Sequence, residues 1–298
     1  MGSILTGTCS WTDKTLIESG WYGPNNTTAE SRLVAYANRF NVVEVDSTYY
    51  SLPSERTSEL WAERTPVEFT FDVKAFRTLT GHPTALSSLP KDLRTAAPPV
   101  VQEKNKLYLK DLPADVAGEL WSRFRQALMP LHSAGKLGVV LFQFPAWFLP
   151  GRESKQSLAR IPELLPEYRS AIEFRHASWL NEKNRDRTLS FLREHGLAYA
   201  SVDEPQGTRQ SVPPIAVATA DIAVVRFHGR RAETWDKANV GVLERFRYLY
   251  SEDELKEWVP KMQELASDTR EVHALMNNCY SDFAVRNAAQ LAALLDQT

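Results

Sequence analysis

The 298-residue chain has room for one large domain or two modest ones, and 43% apolar with 24% charged side chains suits a soluble globular protein with a sizeable core. Its 35 basic and 37 acidic residues leave a formal charge of −2, which excludes a global field drawing the chain to nucleic acid or to a membrane surface. Met1–Trp11 lacks the basic and apolar regions of a secretory leader, no run approaches the ~18 apolar residues of a membrane span, and two cysteines, Cys9 and Cys279, cannot build a disulfide framework; no membrane partner and a reducing cytoplasm are expected.

Short β-rich runs alternate along the chain with amphipathic helical patterns. Strands are expected at Ile4–Ser10, Val42–Ser47, Glu68–Lys74, Val139–Phe144, Ser170–Arg175, Leu197–Asp203, Ala223–His228 and Glu271–Asn277. Helices are expected between them at Ala29–Phe40, Ser54–Arg64, Asp115–Ser133, Glu153–Leu165, Asn181–His195, Asp253–Ser267 and Asp282–Leu295. Only the gap from Glu204 to Asp221, broken by Pro205, Pro213 and Pro214, lacks a helix. Eight strands alternating with helices predict parallel pairing and a (β/α)₈ TIM barrel, one domain over residues 1–298. The rival, an open doubly wound sheet, would need a dinucleotide fingerprint that Gly7-Thr8-Cys9-Ser10 does not supply. Two connections are long, about 76–112 after the third strand and about 229–252 after the seventh; both belong at the C-terminal mouth, as lids or as plain insertions.

Strand parity then sorts side chains into an outer face under the helices and an inner face lining the lumen. Val43, Val45, Phe69, Phe71, Val73, Phe142, Phe144, Ile172, Phe174, Ala200, Val202, Val225, Phe227, Ala274 and Met276 read as outward. The inner set is therefore Glu44, Asp46, Asp72, Lys74, Gln143, Glu173, Arg175, Asp203, Arg226, His228 and Asn277. Charges cannot be buried alone, so these groups must pair with one another, with water or with a ligand. A self-satisfied network is the plainer alternative to a site, but apolar packing would fill a lumen more favourably. Five carboxylates against three permanent cations suggest a protonated general acid, a cationic substrate group, or a divalent metal on Glu44, Asp46, Glu173 and Asp203. No His-x-x-x-His or Cys-x-x-Cys spacing supports the metal, and no cofactor is predicted.

Arg226-Phe227-His228-Gly229-Arg230-Arg231 leaves the seventh strand and Asn277-Asn278 the eighth, where many such barrels hold phosphate. Arginine forks match phosphate oxygens, and Gly229 would let the backbone approach. Aromatics gather after strand ends, at Trp11, Trp21, Tyr22, Tyr49, Tyr50, Trp147, Trp179 and Trp235; Trp11 and Trp179 are the candidates for stacking on a base or sugar, against a plain core role.

The segments Gly7–Trp11 with Trp21-Tyr22-Gly23-Pro24, Val43–Tyr50, Phe71–Lys74 with His82, Leu141–Pro145, Glu173–His176 with Trp179, Arg226–Arg230, Tyr248–Leu255 and Asn277-Asn278 together resemble the YecE-like family of uncharacterised proteins, a domain of unknown function with a TIM-barrel fold. The chain departs at Asp46, where the family usually carries Asn, and in a shortened segment after Trp21. The resemblance implies the fold and brings no activity. The leading expectation is an enzyme acting by hydrolysis, lysis or isomerisation on a phosphorylated or nucleic-acid-derived substrate. Arg226, His228 and Arg230 would hold the anion, Arg175 and Lys74 polarise the reacting centre, and Glu44 and Glu173 serve as acid and base. Gln143 and Asn277 would orient the substrate, with Trp11, Asp46, Tyr49, His82, Trp179 and Asp203 lining the site. The alternatives are a module that binds an anionic ligand or structured RNA without chemistry, and a metal-dependent hydrolase or isomerase.

Overall fold

A computed structural model describes residues 1–208, 210–237 and 239–296; Arg209 in the helix-free gap, Ala238 in the later long connection, and Gln297 and Thr298 lie outside the described residues. Eight strands form the barrel: β1 Ser3–Thr8, β2 Val42–Val45, β3 Thr70–Lys74, β4 Leu137–Gln143, β5 Ser170–Glu173, β6 Ala198–Asp203, β7 Ile222–Phe227 and β8 Glu271–Met276. Each pairs in parallel with its sequence neighbours, and Gly7 lies opposite both Val42 of β2 and Leu275 of β8, which closes the sheet. This is the (β/α)₈ barrel that the alternating pattern predicts.

Alternation divides the core into two layers. Cys9, Val42, Leu141, Ala171, Val224 and Leu275 form an apolar cluster inside the lumen, whereas Val43, Phe71, Phe142, Ile172 and Phe227 belong to the larger cluster between sheet and helices. The parity assignments hold for β2, β3, β4, β5, β7 and β8. In β6 the assignments of Ala200 and Asp203 reverse. Its register puts Ala200 beside Val224, a lumen residue, and Asp203 beside Phe227, an outer one. Asp203 therefore faces the helices, and the next residue, Glu204, takes the inward parity.

Helix boundaries follow local chemistry. Thr28 caps Ala29–Ala37 in a capping box with Ser31, and Ser251 does the same with Glu254 for Glu252–Lys256. The stretches read as Glu153–Leu165 and Asp253–Ser267 each divide in two, as Arg152–Ala159 with Ile161–Leu164 and Glu252–Lys256 with Val259–Asp268. Pro162 and Pro260, lacking an N–H, sit in the first turn of the second piece, the position a helix interior would not tolerate. After β3 the chain forms a turn at Arg77–Thr80, helices Lys91–Ala96 and Pro99–Lys104, and an antiparallel ribbon joining Thr84–Ala85 to Lys106–Leu107. After β7 come the short helices Ala232–Trp235 and Val242–Arg245. Among the described residues, no helix is long and apolar enough to cross a membrane.

Candidate active site at the barrel mouth

The polar residues of the lumen form two separate levels. In the lower one, the Asp72 carboxylate accepts a hydrogen bond from Val139 N at 2.9 Å and meets His273 Nδ1 at 2.9 Å. Both side chains are fully buried, so Asp72 is a satisfied interior group. A Cβ at position 138 would lie 2.2 Å from Asp72 Oδ1, which explains glycine there.

The upper level is built around Arg226 of β7. Its Nε and Nη2 donate to the two oxygens of Glu44 at 2.8 and 2.7 Å, its Nη1 donates to Glu173, and Nη2 also approaches Cys9 Sγ at 3.5 Å. Glu44, Glu173 and Arg226 are all inaccessible to solvent. The three strands thus converge as parity requires, but the fork is fully engaged and Glu44 does not reach the mouth. The expectation that Arg226 grips an anion and that Glu44 is the acid or base is corrected accordingly: this pair is a buried clamp. Burial raises the Glu44 pKa even against Arg226 and Lys74.

Above the clamp, Arg175, whose side chain is 15% exposed, links the buried Glu173, Glu204 and His228 to the rim. Its Nε lies 2.5 Å from Glu173 Oε1, Nη1 donates to Glu204 Oε2 at 3.1 Å, and Nη2 lies 3.0 Å from His228 Nε2. Gln143 donates to the same Glu173 oxygen at 2.7 Å, and the Asn277 amide meets His228 Nδ1 at 2.8 Å. Arg175, Gln143 and Asn277 each keep partial exposure, so this is where the network opens to solvent. On the opposite side, Lys74 Nζ lies 2.7 Å from Asp46 and 4.6 Å from the centroid of the Tyr49 ring, and His82 stands edge-on to Tyr49 at 5.4 Å.

Environment sets the protonation states. Burial would raise the Glu173 pKa, but Arg175 and Arg226 outweigh it and hold the group well below the usual carboxylate range. Glu204 has less help: burial dominates Arg175 and the Val212 N–H, pushing it up to about 8. Burial and Arg175 push His228 down to about 3, so the ring is neutral at physiological pH. A neutral imidazole carries one N–H. His228 Nε2, 3.2 Å from Glu173 and 3.0 Å from Arg175, therefore donates to the carboxylate in one tautomer and accepts from the guanidinium in the other. Burial opposes the Lys74 charge, while Asp46 and Glu44 reverse that and raise its pKa.

Several expected site residues lie elsewhere. Trp11 is buried edge-on against Trp61 and Phe71, and Trp179 is fully buried, stacked on Phe174 at 4.3 Å with its Nε1 donating to Phe148 O; both are core. Asp203 accepts from Trp258 Nε1 at 2.6 Å, Tyr250 OH at 2.8 Å and Arg230 Nη2 at 2.7 Å beneath the helices. Arg230 also pairs with Glu257, so it belongs to this outer cluster and not to an anion clamp. The four carboxylates proposed for a metal do not converge: Asp203 faces outward, Glu44 and Glu173 straddle Arg226, and Asp46 is on Lys74. Gly229 is needed for another reason than ligand approach. Its φ is +88°, its N–H donates to Tyr250 OH at 2.8 Å, and a Cβ would meet Tyr248 Cβ at 2.6 Å. Cys9 and Cys279, both free, pack in the same lumen cluster. Glu204 is the site residue missed in the sequence. Asp203→Ala should cost about 3 kcal/mol in urea unfolding, because it strands the Trp258 and Tyr250 donors and Arg230, while leaving anion binding at the mouth intact; a wild-type midpoint would refute the outward assignment.

The architecture and the site define a class, a (β/α)₈ barrel with a charged, partly open C-terminal mouth. The chain belongs to the DUF72 family, described as proteins of unknown function, whose model matches residues 5–298. It is 31% identical over 297 residues to the UPF0759 protein YunF of Bacillus subtilis (98% of this chain, 95% of that one), and 25% identical over 213 residues to YecE of Escherichia coli K12 (66% of each). Among solved structures it is similar to a DUF72 family protein of Thermotoga maritima, with 31% identity, a TM-score of 0.77 and 99% of each chain covered. A DUF72 family protein of Enterococcus faecalis gives a TM-score of 0.79 at 25% identity, over 99% of this chain and 96% of that one.

Proposed function

We propose that this protein is an enzyme that uses its barrel mouth for acid–base chemistry on a small anionic, phosphorylated or nucleic-acid-derived substrate. One observation carries the reading: Arg175, itself partly exposed, is shared among the buried Glu173, Glu204 and His228. Two carboxylates on one guanidinium have pKa values driven in opposite directions, which is how acid and counter-charge roles are divided between like groups. Glu204 holds its proton at neutral pH and is the general acid. Glu173 stays ionised, fixes Arg175 and supports His228. Lys74 and Arg175 attract and polarise the substrate, with Gln143 and Asn277 orienting it. The mouth mixes acids and bases instead of presenting a basic stripe, which favours a small ligand over a nucleic-acid duplex. Two free thiols fit a cytoplasmic setting.

The test is a turnover screen over phosphate monoesters with matched titrations. Glu204→Gln should lower turnover by about 10²–10⁴-fold and remove the alkaline limb that sets in near pH 8. Glu173→Gln should weaken both binding and turnover. If Glu173→Gln left both at wild-type values, the assignment would be wrong.

A further inference from the structure

Arg77 is the cation at the mouth that the chemistry above leaves unused. It opens the turn Arg77–Thr80 just past β3, and its guanidinium lies 5.2 Å from the centroid of the Tyr49 ring, the same ring that Lys74 approaches at 4.6 Å. Lys74 is balanced by Asp46, and Arg175 by Glu173 and Glu204. Arg77 has no such partner: among the described residues no carboxylate oxygen lies within 4.0 Å of it, and its buried Nε makes no hydrogen bond. Folding has thus removed part of its hydration without replacing it.

A neighbouring wall is aromatic. His82, tied through Nδ1 to Thr80 Oγ1 at 2.9 Å, stands edge-on to Tyr49 at 5.4 Å and to Trp147 at 5.8 Å. Trp147 is 61% exposed, in contrast to the buried Trp11 and Trp179. The His82 ring is kept neutral by its own burial and by the positive charges of Arg77, Lys74 and Arg175.

We infer that Arg77 and Lys74 anchor a phosphate monoester and that Trp147 stacks on a planar ring carried by the same molecule. The substrate class is then a ring-bearing phosphate of the nucleoside monophosphate type. This rests on reading the mouth as an anion-substrate site, and it moves the phosphate from the ends of β7 and β8 to the end of β3. The arginine fork and a second cation suit a dianionic phosphate better than a carboxylate, and stacking on an exposed indole discriminates ring from sugar without reading sequence.

The experiment titrates AMP, ribose 5-phosphate and inorganic phosphate into the full chain by calorimetry at low ionic strength. AMP should bind at least tenfold more tightly than ribose 5-phosphate. Arg77→Gln should weaken both by tenfold or more without changing Tm, with Arg77→Lys restoring part of the loss. Trp147→Ala should bring AMP down to the level of ribose 5-phosphate and leave the latter unaffected. Equal wild-type affinities for the two would overturn the stacking partner. An AMP affinity unchanged by Arg77→Gln but abolished by Arg175→Gln would overturn the anchor and leave the proposed function standing. Failure of all three probes to bind would remove both.

Discussion

Arg226→Met is expected to destabilise the protein by about 3–5 kcal/mol, the cost of removing one partner from a desolvated ion cluster. The magnitude follows from what is left behind. Glu44 loses its paired donors and, with no solvent access, must stay charged and unpaired or take up a proton. Glu173 fares better, because Arg175, Gln143 and His228 remain on its other oxygen. Most of the penalty therefore belongs to Glu44, and Arg226→Met/Glu44→Leu should recover at least ~2 kcal/mol of the single-variant loss. In a chain of this size the single variant should show a Tm fall of roughly 10 °C. Urea titrations of the wild type, both single variants and the double variant give the coupling directly. A loss under ~1 kcal/mol for Arg226→Met would mean that the cluster is hydrated, and the distinction between buried clamp and open rim would collapse.

That distinction was out of reach of sequence, although much of the rest was not. Alternating runs such as Val42–Val45 and Ile222–Phe227 locate the strands because a barrel must be apolar on its outer face at every second residue. The same rule brings Glu44, Glu173 and Arg226 together from three strands. It fails in β6 for a physical reason. Ala200 is small and apolar, so it reads as an outward residue while facing the lumen beside Val224. Tyr199 is the available signal: its ring belongs to the cluster beneath the helices, while its neighbours Ala198 and Ala200 belong to the lumen. Reading it would have exchanged Asp203 for Glu204.

Tryptophan position near a strand end carries no comparable information. Trp11, Trp147 and Trp179 all follow strands, yet two are core and one is exposed, because turns after Thr8 and Glu173 roll the ring under neighbouring helices. Charge pairing is equally non-local. Arg230 reads as an anion ligand, yet Asp203 and Glu257 occupy it, and Arg77 carries no sequence signal although, among the described residues, no carboxylate pairs with it.

The pH dependence of stability should separate two groups of the Arg175 network whose pKa values are displaced in opposite directions. His228 is depressed from 6.5 to about 3. The unfolded chain therefore takes up a proton that the folded one refuses, and His228 contributes stability above pH 6.5 that is lost as pH falls toward 3. Glu204 is raised from 4.5 to about 8, so the folded state is the better proton binder; its contribution is complete below pH 4.5 and is lost as pH rises toward 8. Between pH 4.5 and 6.5 the two slopes oppose each other and largely cancel, so each group must be read from its own variant. Each proton contributes about 1.4 kcal/mol per pH unit. Relative to wild type, His228→Gln should gain roughly 3 kcal/mol on going from pH 7 to pH 4, and Glu204→Gln roughly 4 kcal/mol from pH 5 to pH 8. His82, also pushed down to about 3, steepens the acid limb of all three proteins alike and drops out of these differences, though its partial exposure makes its share smaller. Urea-derived stabilities at four pH values suffice. Curves that run parallel for wild type and Glu204→Gln would place an ordinary carboxyl at that position, ionised at neutral pH and so unable to act as the general acid proposed for it.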